Sequence, residues 1–218
     1  SFSRRQRQMC IRDRYTPYQA EVAQGRLEAL LNYQTVICDL TGMELSNASL
    51  LDEGTSAAEA MTMLFANRDR EKVNNNCNKF FVADDVFDQT LDVLMTRAEP
   101  LGIEIVKNSI DKINVDKSFF GSYVQYTGKN GQINDLKTIS KTISNFDIKL
   151  VVAADLLSLT TLEKPSLFNC DVVVGTSQRF GIPLGYGGPH AGYFATKKQY
   201  KRSIPGRIIG VSKDTDGN

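Results

Sequence analysis

Three stretches of the chain hold residues of the types and spacings that chemistry needs. The longest runs from Asp171 to Tyr193, D-V-V-V-G-T-S-Q-R-F-G-I-P-L-G-Y-G-G-P-H-A-G-Y. Val172 to Val174 reads as a buried strand, and the polar turn Gly175-Thr176-Ser177-Gln178-Arg179 follows it. Five glycines (181, 185, 187, 188 and 192) and two prolines (183 and 189) then surround the only histidine, His190. Glycine admits backbone conformations and close approaches closed to other residues, and proline fixes its own φ. So much of both after a buried strand suggests a loop shaped for a site. In open α/β sheets ligands bind beyond the carboxyl ends of the strands. By position, Glu53-Gly54-Thr55-Ser56 at a helix start and Asp155 after the run Val151–Ala154 belong there too.

Each stretch has two readings. Gly54-Thr55-Ser56 is either an N-cap or an anion cup, where free N–H groups and the helix dipole point to one place. Asp155 is either a helix cap or a carboxylate that keeps a heteroaromatic nitrogen protonated, as electron-sink cofactors need. His190 is either a satisfied structural histidine or a catalytic one. The loop does not complete G-x-G-x-x-G, because His190 takes the last position, and G-x-x-x-x-G-K-[ST] is absent. No Ser-His-Asp set can be assembled from spacing.

Bulk properties exclude several classes of function. There are 26 Lys+Arg against 25 Asp+Glu, which removes the charge argument for nucleic acid or an anionic membrane. No apolar run approaches the ~20 residues of a membrane helix. Cys10, Cys38, Cys77 and Cys170 form no CxxC pair and read as reduced thiols of an intracellular protein. One histidine argues against most histidine-based metal sites, so no metal is expected.

The elements that must position these residues alternate. Thr16-Pro17 opens a long amphipathic helix that ends near Thr41-Gly42. Ala48–Leu51 is a short apolar segment, and a second helix is expected from Ala57 to about Asn67, followed by a charged surface loop over 68–78. Lys79–Ala83 reads as a strand, with Asp84 or Asp85 capping a helix from Val86 to about Ala98. Strands are expected at Ile103–Val106 and Gly121–Thr127, separated by a polar connection over 111–119. A helix over Leu136–Phe146, a central strand over 149–154, Val172–Val174 and a last strand over Ala191–Thr196 complete the pattern. Residues 200–218 show no core pattern of their own. Strands alternating with helices give one α/β domain with a largely parallel sheet. Residues 1–14 are Arg-rich and aperiodic and read as foreign or disordered sequence, and the chain reads as a piece cut from a longer one.

Y-T-P-Y-Q-A-E-V-A-Q-G-R-L-E-A-L-L-N-Y-Q-T (15–35), N-A-S-L-L-D-E-G-T-S-A-A-E-A-M (47–61), S-Q-R-F-G-I-P-L-G-Y-G-G-P-H-A (177–191) and S-I-P-G-R-I-I-G-V-S-K-D (203–214) resemble the glycine cleavage system P-protein. That family comprises decarboxylating, aminomethyl-transferring glycine dehydrogenases. The resemblance implies the large domain of a fold type I pyridoxal-phosphate enzyme, with residues 15–218 forming part of the N-terminal half of a two-half protein. The lysine that binds the cofactor lies in the C-terminal half of the family, in an H-K-T-F-C-I-P-H-G-G-G-G-P-G type motif, and Gln178 stands in its place here. Asp155 falls where such enzymes keep the partner of the pyridine nitrogen. An amide cannot condense with an aldehyde, so this half resembles the cofactor-binding half without its covalent anchor. The implied reaction removes CO2 from glycine on pyridoxal phosphate and passes the aminomethyl group to the lipoyl arm of H-protein. Glu53, Thr55, Ser56 and His190 would line the site of the catalytic half or subunit. A dimer of two-half units is implied, in the bacterial cytoplasm or, in a eukaryote, the mitochondrial matrix. A scaffold half needed only for assembly is the alternative, and an independent phosphate binder a weaker one. An exposed half interface would make the isolated chain poorly soluble.

Overall fold

The computed structural model describes residues 20–211, apart from 184 and 189. Their strands form one seven-stranded sheet in the order β1-β7-β6-β5-β4-β2-β3. β2 (Lys79–Ala83), β3 (Glu104–Asn108), β4 (Phe119–Gln125), β5 (Lys149–Ala153) and β6 (Val172–Thr176) run parallel. β7 (Gly192–Thr196) is antiparallel to β6, and β1 (Leu45–Ser46) is antiparallel to β7. All seven residues of β4 are buried, and the apolar runs of β5 and β6 are buried on both faces, as a sheet covered by helices requires.

The first helix, α1 (Ala20–Thr41), ends as expected at Gly42, whose φ of +74° lets its N–H close on Cys38 O at 2.8 Å. Its expected start at Thr16-Pro17 lies outside the described residues, as do residues 1–14. The second helix, α2 (Glu53–Ala66), opens four residues earlier than expected from Ala57. Asp52 is its cap, with Oδ1 accepting the Thr55 N–H at 2.7 Å, so Gly54-Thr55-Ser56 forms the first turn and not the cap. Charged, Asn-rich residues expected to be loop contain α3 (Arg70–Asn74), because Asp69 Oδ1 accepts the Lys72 N–H at 2.7 Å.

Neither Asp84 nor Asp85 caps α4 (Asp88–Ala98), which begins two residues late behind Phe87 with no side-chain cap. Asp85 is instead buried, and its Oδ2 accepts from Asn134 Nδ2 at 2.6 Å and Gln132 Nε2 at 3.1 Å. The last helix, α5 (Leu136–Ser144), is capped by Asp135, which accepts from the Lys137 and Thr138 N–H groups. The polar connection before β4 holds a single turn of 3₁₀ helix, Ile110–Lys112, and gives up Phe119 to the strand.

Two features lie outside the expected pattern. β1 is only two residues long and carries no periodicity to read. Residues after Tyr200 do contribute to the core: Tyr200 is buried and Ile204 packs against the main cluster. The following segment is tied to the N-terminal part of the chain. Asn47 Nδ2 donates to Pro205 O, the Ala48 N–H to Arg207 O, and the Gln34 amide both donates to Ile209 O and accepts its N–H, at 2.7 to 3.0 Å.

β5, β6 and β7 close on each other at one point. A Cβ on Gly175 of β6 would lie 2.5 Å from Ala154 O and 2.6 Å from the ring of Tyr193, a fully buried residue of β7 whose hydroxyl donates to Ala154 O at 2.6 Å. Neither neighbour has room to yield. Gly175→Val should therefore destabilise the fold by roughly 2–3 kcal/mol, read as a lower urea midpoint at unchanged slope.

Candidate functional site at the carboxyl ends of the strands

The parallel strands β4, β5 and β6 deliver Gln125, Ala154-Asp155 and Thr176-Ser177 to one end of the sheet. Antiparallel β7 starts at the same end, which puts Tyr193 beside them. Gly192 lets the start of α2 come in against this group: a Cβ there would stand 2.3 Å from Asp52 O and 2.5 Å from Ser56 Oγ. The result is a compact set of Glu53, Tyr33, Tyr123, Gln125, Tyr193 and Asp155.

Glu53 is the chemically distinctive member. Its Oε1 is fully buried and has no hydrogen-bond partner among the described residues. Burial pushes its pKa up from 4.5 to about 7; Gln125 opposes the rise, and the charges of Asp155 and Asp52 add to it. A buried carboxylate beside two others is better accommodated protonated. The hydroxyls of Tyr123 and Tyr193 are held well above their usual pKa by burial and then by Glu53. Burial also raises the pKa of Tyr33, whose hydroxyl is likewise buried without a partner; Ser177 nearby partly offsets the rise.

The remaining expected residues are placed as follows. Three donors of the α2 first turn are already used: the Thr55 N–H by Asp52 Oδ1, and the Ser56 N–H and hydroxyl by Asp52 O. Asp155 accepts the Leu157 N–H at 3.0 Å and pairs with Arg179 at 3.1 Å. The Gln178 side-chain amide donates to Gly187 O, within the loop. His190 is exposed, with Nδ1 3.1 Å from Gly188 O, and is not drawn into the Glu53 set. Tyr33, Tyr123, Gln125, Tyr193 and Arg179 join the site unexpectedly. Tyr123 sits on a strand that reads as core and Tyr33 on a helix, so only the tertiary packing brings them to the site.

These residues do not fit pyridoxal phosphate. The helix N-terminus that would offer N–H groups to a phosphate holds the chain's own Asp52, with Glu53 beside it. Asp155 is paired with Arg179, and Gln178, bonded within its own loop, carries an amide that cannot condense with an aldehyde. The set can keep a proton on Glu53 and present tyrosine hydroxyls, and it repels anions. Among the described residues no group of three His, Cys, Asp or Glu side chains could hold a metal ion.

The sequence profile of the glycine cleavage system P-protein matches residues 8–218. The chain belongs to that family. It is 57% identical over 204 residues to a glycine dehydrogenase (decarboxylating) of Flavobacterium johnsoniae, 58% identical over 204 residues to that of Christiangramia forsetii and 55% identical over 203 residues to that of a Nostoc species. Each alignment covers 93–94% of this chain but only 20–22% of the relative, so the chain spans about a fifth of the length of these relatives. The inhibitor-bound crystal structure of a glycine decarboxylase (P-protein) superposes with a TM-score of 0.84 at 32% identity, covering 96% of this chain and 49% of that one. A cystathionine gamma-lyase from Lactobacillus plantarum complexed with L-serine shares the fold at a TM-score of 0.58 and 14% identity, over 76% of this chain and 42% of that one. The sheet and its flanking helices are thus those of the P-protein and of pyridoxal-phosphate enzymes of fold type I.

Glu53 makes this P-protein domain sensitive to pH. Its folded pKa lies above the unfolded one, so folding favours the protonated carboxyl. That contribution is complete below pH 4.5 and is lost as pH rises through about 7. The loss by pH 8 amounts to at most about 3 kcal/mol. Glu53→Gln should flatten this decline and raise the urea midpoint at pH 8, leaving the midpoint at pH 5 nearly unchanged.

Proposed function

We propose that this chain is part of a glycine dehydrogenase (decarboxylating), and that residues 15–218 belong to its N-terminal half and shape one wall of a site whose chemistry is done by the other half. The observation that carries the reading is the family match joined to a site with Gln178 and an acidic, tyrosine-rich set where a reactive lysine and a phosphate cradle would have to be. Pyridoxal phosphate, bound covalently by the catalytic half, would supply the electron sink for loss of CO2 from glycine. The wall formed by this chain keeps water from the reaction, carries a neutral carboxyl at Glu53, and borders the path of the lipoyl arm of H-protein that receives the aminomethyl group.

The surface around the loop supports a role beside a partner. Leu51 is 74% exposed, Phe180 47%, and Tyr186 stands fully in solvent with a φ of +52°, a strained conformation for a non-glycine residue. Such apolar groups fit burial by the complementary half, with two-half units pairing into dimers, and are consistent with low solubility of the chain alone. Among the described residues no helix is long and apolar enough to cross a membrane. The family reading puts the assembled enzyme in the bacterial cytoplasm or, in a eukaryote, the mitochondrial matrix.

By itself the chain should give no borohydride-trapped pyridoxal adduct and no exchange of glycine carboxyl with bicarbonate. Mixing with the remainder of the enzyme should restore exchange, and Glu53→Gln or His190→Ala should slow the restored rate on the order of tenfold by disturbing the wall. Restored exchange that neither substitution changes would make the chain an assembly scaffold, the second reading, which the closed hydrogen bonding of the α2 turn favours. A trapped adduct on a lysine of this chain would overturn both.

A further inference from the structure

At the amino ends of the strands, opposite Glu53, a cavity of about 290 Å³ opens between the end of α2, α3 and the starts of β4 and β5. Asn67, Arg68, Lys72, Phe120, Lys149 and Gln199 line it. Lys72 is 8% exposed, and its ammonium donates only to backbone carbonyls, Phe119 O at 3.0 Å and Phe146 O at 3.5 Å. Arg68 likewise spends Nε on Phe65 O and Nη1 on Cys77 O, both at 2.8 Å, and lays its guanidinium 3.4 Å from the centre of the Phe65 ring. Among the described residues neither cation has a carboxylate within ion-pair distance. Lys149 pairs with Asp147, and Asp69, on the cavity wall, gives a carboxylate oxygen to the α3 cap.

Buried charges are ordinarily paired, and carbonyl dipoles satisfy an ammonium's hydrogens without neutralising it. The two carbonyls explain where Lys72 points; they do not explain two uncompensated cations on one cavity wall. Burial also pulls the Arg68 guanidinium below its usual pKa, which an anion would relieve. Guanidinium and ammonium groups retain N–H donors beyond those they have spent, in the arrangement that grips an oxyanion by charge-assisted hydrogen bonds.

We infer that this cavity is a binding site for a small oxyanion, a phosphate or carboxylate group carried on a small molecule, held between Arg68 and Lys72 with Lys149 at the rim. The site is independent of the proposed role of the Glu53 set, and its failure would leave that role untouched.

Calorimetric titration of the 218-residue chain with inorganic phosphate and, separately, with succinate, at ionic strength matched with chloride, tests the inference. Saturable heat above the chloride control is expected. Phosphate heat alone assigns a phosphate ligand, and succinate heat alone a carboxylate. Arg68→Gln should weaken binding about tenfold and Lys149→Gln about threefold, with far-UV circular dichroism confirming the fold of each variant. Lys149 is the safer variant, because its only ion pair is with the exposed Asp147. Absence of saturable heat with both anions overturns the inference. So does equal affinity in wild type and both variants, which would leave only general screening of surface charge.

Discussion

The structure depends on the burial of one tyrosine under one glycine. Tyr193 lies fully buried where β7 turns against the parallel strands, its ring against the bare backbone of Gly175 and its hydroxyl on Ala154 O. That contact joins β5, β6 and β7 at the end of the sheet where the candidate site lies. Gly192, just before it, admits the start of α2, and only then does Glu53 come into the group. The site is therefore a by-product of close packing: Gly175 seats Tyr193, and Gly192 admits the turn that carries Glu53.

What fills that end of the sheet decides its chemistry. In an open α/β sheet, helix N-termini and strand ends leave donors for a ligand. Here the chain supplies its own ligands. Asp52 occupies the α2 turn, Arg179 takes Asp155, and Gln178 binds the loop it starts. The result is an acidic, tyrosine-rich end of the sheet in which the open polar groups are Glu53 Oε1 and the Tyr33 hydroxyl.

Much of the fold was legible because its residues are patterned. The apolar runs at β2, β5 and β6 and the periodic α5 announce themselves, and the glycines around β7 mark close approaches. The early start of α2 and the unforeseen α3 share a cause. At Asp52 and Asp69 a single side-chain hydrogen bond fixes the boundary, and a window of hydrophobicity averages over it. β1 was illegible because two residues have no period. The site was only half legible. Glu53, Asp155 and Gln178 lie in motifs that signal themselves, whereas Tyr123 and Gln125 become neighbours through the strand order and Tyr33 through the packing of α1. No local feature of Glu53 foretells its buried, unpartnered oxygen.

The antiparallel edge has a consequence for how the molecule is made. Leu45 and Ser46 pair with Thr196 and Ala195, about 150 residues later in the chain, and Gln34 waits for Ile209. At roughly 5–20 residues per second, a ribosome takes on the order of ten seconds or more to deliver those partners. During that interval α1 has left the exit tunnel with its sheet edge still unmade, and the parallel strands must accumulate on the far side of the gap. Over that interval the nascent polypeptide carries an amphipathic helix and an open strand margin in need of a chaperone's cover.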